Sequence, residues 1–153
     1  MRLILVALLS LCSSCASNPD ARAHRLALWN FTYQKDTVNE YRIYNSISMP
    51  FAGDCEDFAI AKYITLVAMG IPDYNLKVTY VMRLNRPHMV LYYAPPGSVP
   101  LVLDNIDKEI KPANRRQDLM PIYSFNGNGL WINGKYSGPA VDLDMWRDLV
   151  ARL

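Results

Sequence analysis

The run Gly53-Asp54-Cys55-Glu56-Asp57-Phe58-Ala59-Ile60-Ala61-Lys62-Tyr63 constrains this chain more than any other stretch. Gly53 interrupts the preceding segment, and Asp54 is suited to cap a helix, because its carboxylate can accept from the free N–H groups of the first turn. Cys55 then occupies the first helical position, over the positive end of the helix dipole, where a thiol is expected to have a depressed pKa and to supply a nucleophilic thiolate. Downstream, Phe58, Ala61, Tyr63, Ile64, Leu66, Val67 and Met69 recur at three- and four-residue spacings and predict one buried helix face. Gly70 is the expected C′ residue, and Pro72 prevents continuation. A cysteine that opens a buried helix has the geometry a cysteine hydrolase needs. The same position equally suits a small core residue.

Cysteine usage bears on that choice. The chain has three cysteines in 153 residues. Met1-Arg2 is a short positive region, and Leu3 to Leu11 is an apolar run too short to span a bilayer. Residues 1–16 therefore read as a signal peptide, with the small residues Ser14 and Ala16 at the −3 and −1 positions of a cut after Ala16. The competing reading is a lipoprotein cut before Cys15, which would anchor the chain through that residue. Either way Cys12 and Cys15 are lost as thiols, and Cys55 remains without a disulfide partner. A lone thiol in an oxidising compartment is a liability unless it has a task.

The remaining residues 17–153 read as one domain with a proper core. The net charge of +2, with no basic stripe interleaved with aromatics, argues against a nucleic-acid partner. Asn18 to Ala23 reads as a flexible leader, and His24 to Tyr33 as a short helix with a surface histidine. Gln34 to Asn45 reads as a further helix. Leu76 to Leu84 alternates apolar and polar residues and predicts a strand buried on the face of Leu76, Val78, Tyr80, Met82 and Leu84. After a turn at Asn85-Arg86-Pro87, His88 to Tyr93 predicts an antiparallel partner. Leu101 to Asp104 is a third short strand, and Lys111 to Met120 a polar, basic loop. Ile122 to Phe125 and Leu130 to Ile132 flank a hairpin turn, with Asn133-Gly134 as another turn. A last helix carries Leu143, Trp146 and Leu153 on one face.

A nucleophilic thiol needs a base, and the base needs an orienting carboxylate. The chain has two histidines, and with His24 read as a surface residue, His88 is the candidate imidazole. It opens the second strand, and Asp104 closes the third. Taken singly, His88 reads as a strand-end histidine and Asp104 as a turn residue. Together with Cys55 they form a candidate catalytic set.

The run around Cys55, then His88-Met89-Val90-Leu91, then Leu101-Val102-Leu103-Asp104-Asn105, resembles the bacterial transglutaminase-like cysteine proteinases. Tyr123-Ser124-Phe125-Asn126 and Gly129-Leu130-Trp131 continue the likeness, which spans residues 53–134. It implies an α+β, papain-like, transglutaminase-type fold, with the nucleophile at the N-terminus of a central helix packed on an antiparallel sheet. It implies a Cys55–His88–Asp104 triad. It implies an exported, periplasmic endopeptidase that cuts a large surface adhesin near its N-terminus and promotes biofilm release. It also implies restraint by an inner-membrane cyclic-di-GMP receptor of the LapD type. The chain departs from the family upstream of Cys55, where a tryptophan-rich stretch is usual and Tyr41 to Ala52 holds no tryptophan.

The resemblance further implies calcium, held by the acids Asp54, Glu56 and Asp57. On their own, these acids crowd negative charge around Cys55 and oppose its thiolate, which a hard, oxygen-seeking cation would relieve. They are equally well placed as capping and first-turn acids. Two other functions fit the same residues: an amide-transfer or cell-wall amidase activity on the same triad, and a non-catalytic homologue that binds an adhesin or receptor.

Overall fold

The structure is a computed structural model, and it describes residues 19–35, 50–140, 143, 144 and 146. The segment expected to be a signal peptide, nearly all of the helix expected over Gln34–Asn45, and most of the expected last helix lie outside the described residues. Helix α1 (Pro19–Asn30) leads into a short strand β1 (Phe31–Tyr33), which pairs in parallel with β2 (Phe51–Gly53). Helix α2 (Cys55–Ala68) follows at once. Strands β3 (Leu76–Arg83), β4 (Arg86–Tyr93), β5 (Leu101–Leu103), β6 (Lys111–Pro112), β7 (Leu119–Asn126), β8 (Gly129–Ile132) and β9 (Lys135–Gly138) follow. They form one antiparallel sheet in the order β6-β5-β4-β3-β7-β8-β9. Among the described residues no helix is long and apolar enough to cross a membrane.

α2 is the central element. It is stopped as the sequence predicts: Gly70 takes a φ of +90°, the Gly70 N–H donates to Val67 O at 3.0 Å, and the Ile71 N–H donates to Leu66 O at 3.0 Å. That pair of bonds is a Schellman motif. The helix does not, however, bury a single face. Asp57 through Tyr63 are all buried, because the sheet covers one side and α1 the other, whereas Val67 and Met69 lie exposed near the C-terminus. A helix enclosed by two layers loses its amphipathic stripe.

The sheet likewise buries apolar residues on both faces. Leu76, Val78, Met89, Leu91 and Leu103 join the main core beneath α2. Val81, Val90, Val102 and Leu119 form a second small cluster. The alternation expected of β3 is therefore broken, and Leu84 is exposed rather than buried. Leu84 and Asn85, with φ of 48° and 62°, make the two-residue turn between β3 and β4. This is the hairpin geometry that fits a right-handed strand twist. The turn thus falls earlier than Asn85-Arg86-Pro87, and His88 is the third residue of β4, opposite Val81.

α1 starts at Pro19, inside the segment expected to be a leader, and Ala23 and Ala27 pack it on the core. His24 is not a surface residue. It is 2% exposed, its ring lies edge-on to Phe58, and its Nε2 bonds Lys108 O at 3.0 Å. Burial first, and the neighbouring Lys62 second, lower its pKa to about 4. The unfolded chain would bind a proton at about pH 6.5, and the folded chain does not until about pH 4. Stability is therefore full above about pH 6.5 and declines as the pH falls through this window, by about 3 kcal/mol at its lower end. Urea titrations at pH 7 and pH 4.5 should show that decline in the wild type, and a His24→Gln variant should lose much of the pH dependence across this interval.

Candidate active site

The cleft is built from the start of α2. The Gln34 N–H donates to Gly53 O at 2.7 Å, which ties β1 to the residue that feeds the helix. A side chain at Gly53 would overlap the Asp57 carboxylate, so only glycine lets the chain turn this closely into α2. Asp54 is the N-cap as predicted, its Oδ1 accepting from the Glu56 N–H at 3.3 Å. Asp57 is buried, and its Oδ2 turns back to accept from the Asp54 N–H at 3.4 Å. This is the reciprocal arrangement of a capping box.

Cys55 therefore stands at the first helical position, half-buried, with the Met89 N–H of β4 near enough to favour its thiolate. The helix-start position does not depress its pKa. Burial pushes the Cys55 thiol up to about 12; the Met89 N–H pulls the other way, and Glu56 and Asp54 push it further up. The dipole of one helix end is equivalent to roughly half a charge and is outweighed by two nearby carboxylates and lost hydration.

One residue before Met89, the His88 imidazole is buried, and its Nε2 pairs with Asp104 Oδ1 at 2.8 Å. Asp104 is fully buried just past the end of β5. Its other oxygen, Oδ2, accepts from Arg116 at 2.8 Å, and the Ile106 N–H donates to Oδ1 at 3.0 Å. Burial alone would raise the Asp104 carboxyl, but the bonds from His88, the Ile106 N–H and Arg116 hold it well below the usual carboxylate range. An ionised Asp104 fixes the proton on Nε2 and leaves Nδ1 as the ring nitrogen able to take a proton. Arg116 was not singled out from the sequence, where it sits in a polar loop. It is 3% exposed and also grips Asp118 with Nε and a terminal nitrogen at 2.9 and 3.0 Å.

Cys55 and His88 line one cleft of about 810 Å³ with Phe31, Tyr33, Arg86 and Ile106. A buried imidazole with a fixed carboxylate partner and a thiol in the same cleft are the parts of an acyl-transfer site. Residues 28–131 of the chain match the family described as bacterial transglutaminase-like cysteine proteinase BTLCP. The chain belongs to this family.

The structure is also similar to solved members. Legionella pneumophila LapG superposes with a TM-score of 0.75 at 38% identity, over 88% of this chain and 76% of that one. Its calcium-bound form gives 0.72 at 37% identity, covering 88% and 78%, and its EGTA-treated form 0.74 at 38% identity, covering 88% and 77%. No curated protein matches the chain. The α+β, papain-like fold expected of a transglutaminase-like proteinase is thus the fold observed, and the chain is a cysteine peptidase by family.

The acids expected to bind a cation separate into two sets. Ligand atoms of Asp54, Cys55 and Glu56 lie within 4.8 Å of one another. Two oxygens bound to one calcium ion at about 2.4 Å would be no more than about 5 Å apart, so the Asp54 and Glu56 carboxylates fit a shared hard cation. The Asp57 carboxylate is not in this cluster, since it is turned into the helix cap.

Proposed function

We propose that this proteinase is an exported, calcium-dependent endopeptidase that uses a Cys55–His88–Asp104 triad to cut a large surface adhesin near its N-terminus and so release biofilm cells. The observation that carries the triad is the buried 2.8 Å bond from His88 to Asp104 beside a cleft shared with Cys55. In this reading the Cys55 sulfur attacks the scissile carbonyl and His88 Nδ1 takes the thiol proton. Asp104 holds the ring in the tautomer this requires. His88 then returns the proton to the leaving amine, and water releases the acyl group.

Asp54 and Glu56 would hold calcium beside the thiol. Bound there, the cation would offset the two carboxylates that oppose the thiolate. Calcium at about 100 times its Kd should stabilise the protein by about 2.7 kcal/mol, visible as a raised melting temperature. A chelator should reverse that rise. An Asp54→Asn/Glu56→Gln variant keeps groups able to cap the helix and should show neither the rise nor calcium binding by calorimetry. A full calcium response in the variant would place the ion elsewhere.

A periplasmic location follows from the leader segment, with soluble export and an anchor at Cys15 as its two forms. Restraint by an inner-membrane cyclic-di-GMP receptor of the LapD type completes the proposal. The test of function is incubation of the mature protein with N-terminal segments of surface adhesins, with calcium and with a chelator. Two fragments, one with a new carboxyl terminus and the other with a new amino terminus, formed only with calcium, are expected. Intact segments under both conditions would reject the endopeptidase reading.

A further inference from the structure

When a thiol adds to a peptide carbonyl, negative charge collects on the carbonyl oxygen, and hydrogen-bond donors aimed at that oxygen lower the barrier. At the start of α2, the Cys55 backbone N–H is one such donor, belonging to the helix's unsatisfied first turn. We infer that the Tyr33 hydroxyl is the second, donating to the oxyanion formed when Cys55 attacks. This assignment rests on Cys55 being the nucleophile.

Three observations converge on Tyr33. In the parallel β1–β2 pair, Tyr33 stands opposite Gly53, two residues before Cys55. The Gln34 N–H to Gly53 O bond holds that register. Tyr33 lines the same cleft as Cys55 and His88, and at 61% exposed it is not enclosed in the core.

The other side-chain donors around the cleft come from elsewhere. Arg83 is engaged by Asp118 at 3.2 Å. Arg86 belongs to the β3–β4 turn region, and Asn105 and Lys108 follow Asp104, which holds the imidazole at Nε2. Tyr33 is the one side-chain donor lining the cleft from the strand pair that leads into α2.

The step balances without an added reactant. The S–C bond forms as the carbonyl π pair moves onto oxygen, where Tyr33 and the Cys55 N–H donate. The thiol proton passes to His88. On collapse the C=O re-forms, the C–N bond breaks, and the amine leaves with the proton from His88.

Tyr33→Phe removes only the hydroxyl from an exposed ring. The probe is a fluorescence-quenched peptide selected from a mixed-sequence library by wild-type turnover, with the peptide aldehyde of the same sequence and iodoacetamide as further reagents. Removing one oxyanion donor should lower kcat about 100-fold with KM nearly unchanged. Aldehyde affinity should fall by a similar factor, because the hemithioacetal carries the same oxygen. Iodoacetamide should alkylate Cys55 at the wild-type rate, since displacement of iodide builds no oxyanion. Unchanged kcat, a rise in KM alone, or kcat and alkylation falling together would each overturn the assignment. Should no library peptide be turned over by wild type, the endopeptidase reading falls, and should wild type and Cys55→Ala cleave equally, the nucleophile is wrong; the assignment falls with either.

Discussion

Cys55→Ala is expected to lower peptide-bond cleavage by roughly four to six orders of magnitude, as loss of a covalent nucleophile does in hydrolases of this logic. The expectation follows from position. Cys55 is the thiol that the fold sets at the mouth of α2, facing the cleft that His88 also lines. Alanine is small, is the best helix former, and leaves the Asp54–Asp57 capping bonds intact. Circular dichroism and melting temperature should therefore stay close to wild type while turnover disappears. Retention of even a tenth of the activity would show that another group performs the attack.

The second large effect concerns Arg116. Its guanidinium bonds Asp104 at 2.8 Å and grips Asp118 through two nitrogens, at 3% exposure. Arg116→Met would leave the Asp104 carboxylate fully buried with His88 and one N–H as its remaining partners. Breaking a buried pair from one side costs about 3–5 kcal/mol, so unfolding by urea should require correspondingly less denaturant. In an Asp104→Asn background the same substitution should cost much less, because no buried charge is stranded. Acid adds a check. Asp104 sits below the usual carboxylate range in the folded protein, so its contribution is complete above about pH 4 and is lost as the pH drops further. Arg116→Met should weaken that acid dependence. A cost equal in both backgrounds would mean Arg116 acts through Asp118 alone.

The stretch that opens α2 was legible because its punctuation is local. Gly53 and Asp54 start the helix, and Gly70 and Pro72 end it, each through backbone geometry that one residue dictates. The pairing of His88 with Asp104 was reachable because the chain has two histidines, of which His24 reads as a surface residue, and because His88 opens one predicted strand while Asp104 closes the next. The helpers of that pair were not reachable. Arg116 looks like any loop arginine until the chain folds and brings it to a carboxylate twelve residues away, and the nearby Asp118 was its only local sign. His24 was misplaced for a related reason, because its burial is set by Phe58 and Lys108 on distant segments.

Period-two patterning failed on β3 since Val81 and its neighbours on β4, β5 and β7 bury the opposite face too. The three-residue strands β1 and β2 are too short to carry any period, yet they bring Tyr33 to the cleft. The helix dipole alone does not set the state of Cys55, because the lost hydration of a half-buried sulfur outweighs it.

The claim on which the rest depends is that His88 activates the Cys55 sulfur. The rate of Cys55 alkylation by iodoacetamide at pH 7 in calcium, measured in wild type and in His88→Ala with the labelled residue mapped by mass spectrometry, tests it directly. Cys55 should be alkylated at least about tenfold faster in wild type than in His88→Ala, because the imidazole takes the proton that burial and the two carboxylates otherwise keep on the sulfur. Equal rates in the two proteins would contradict the account.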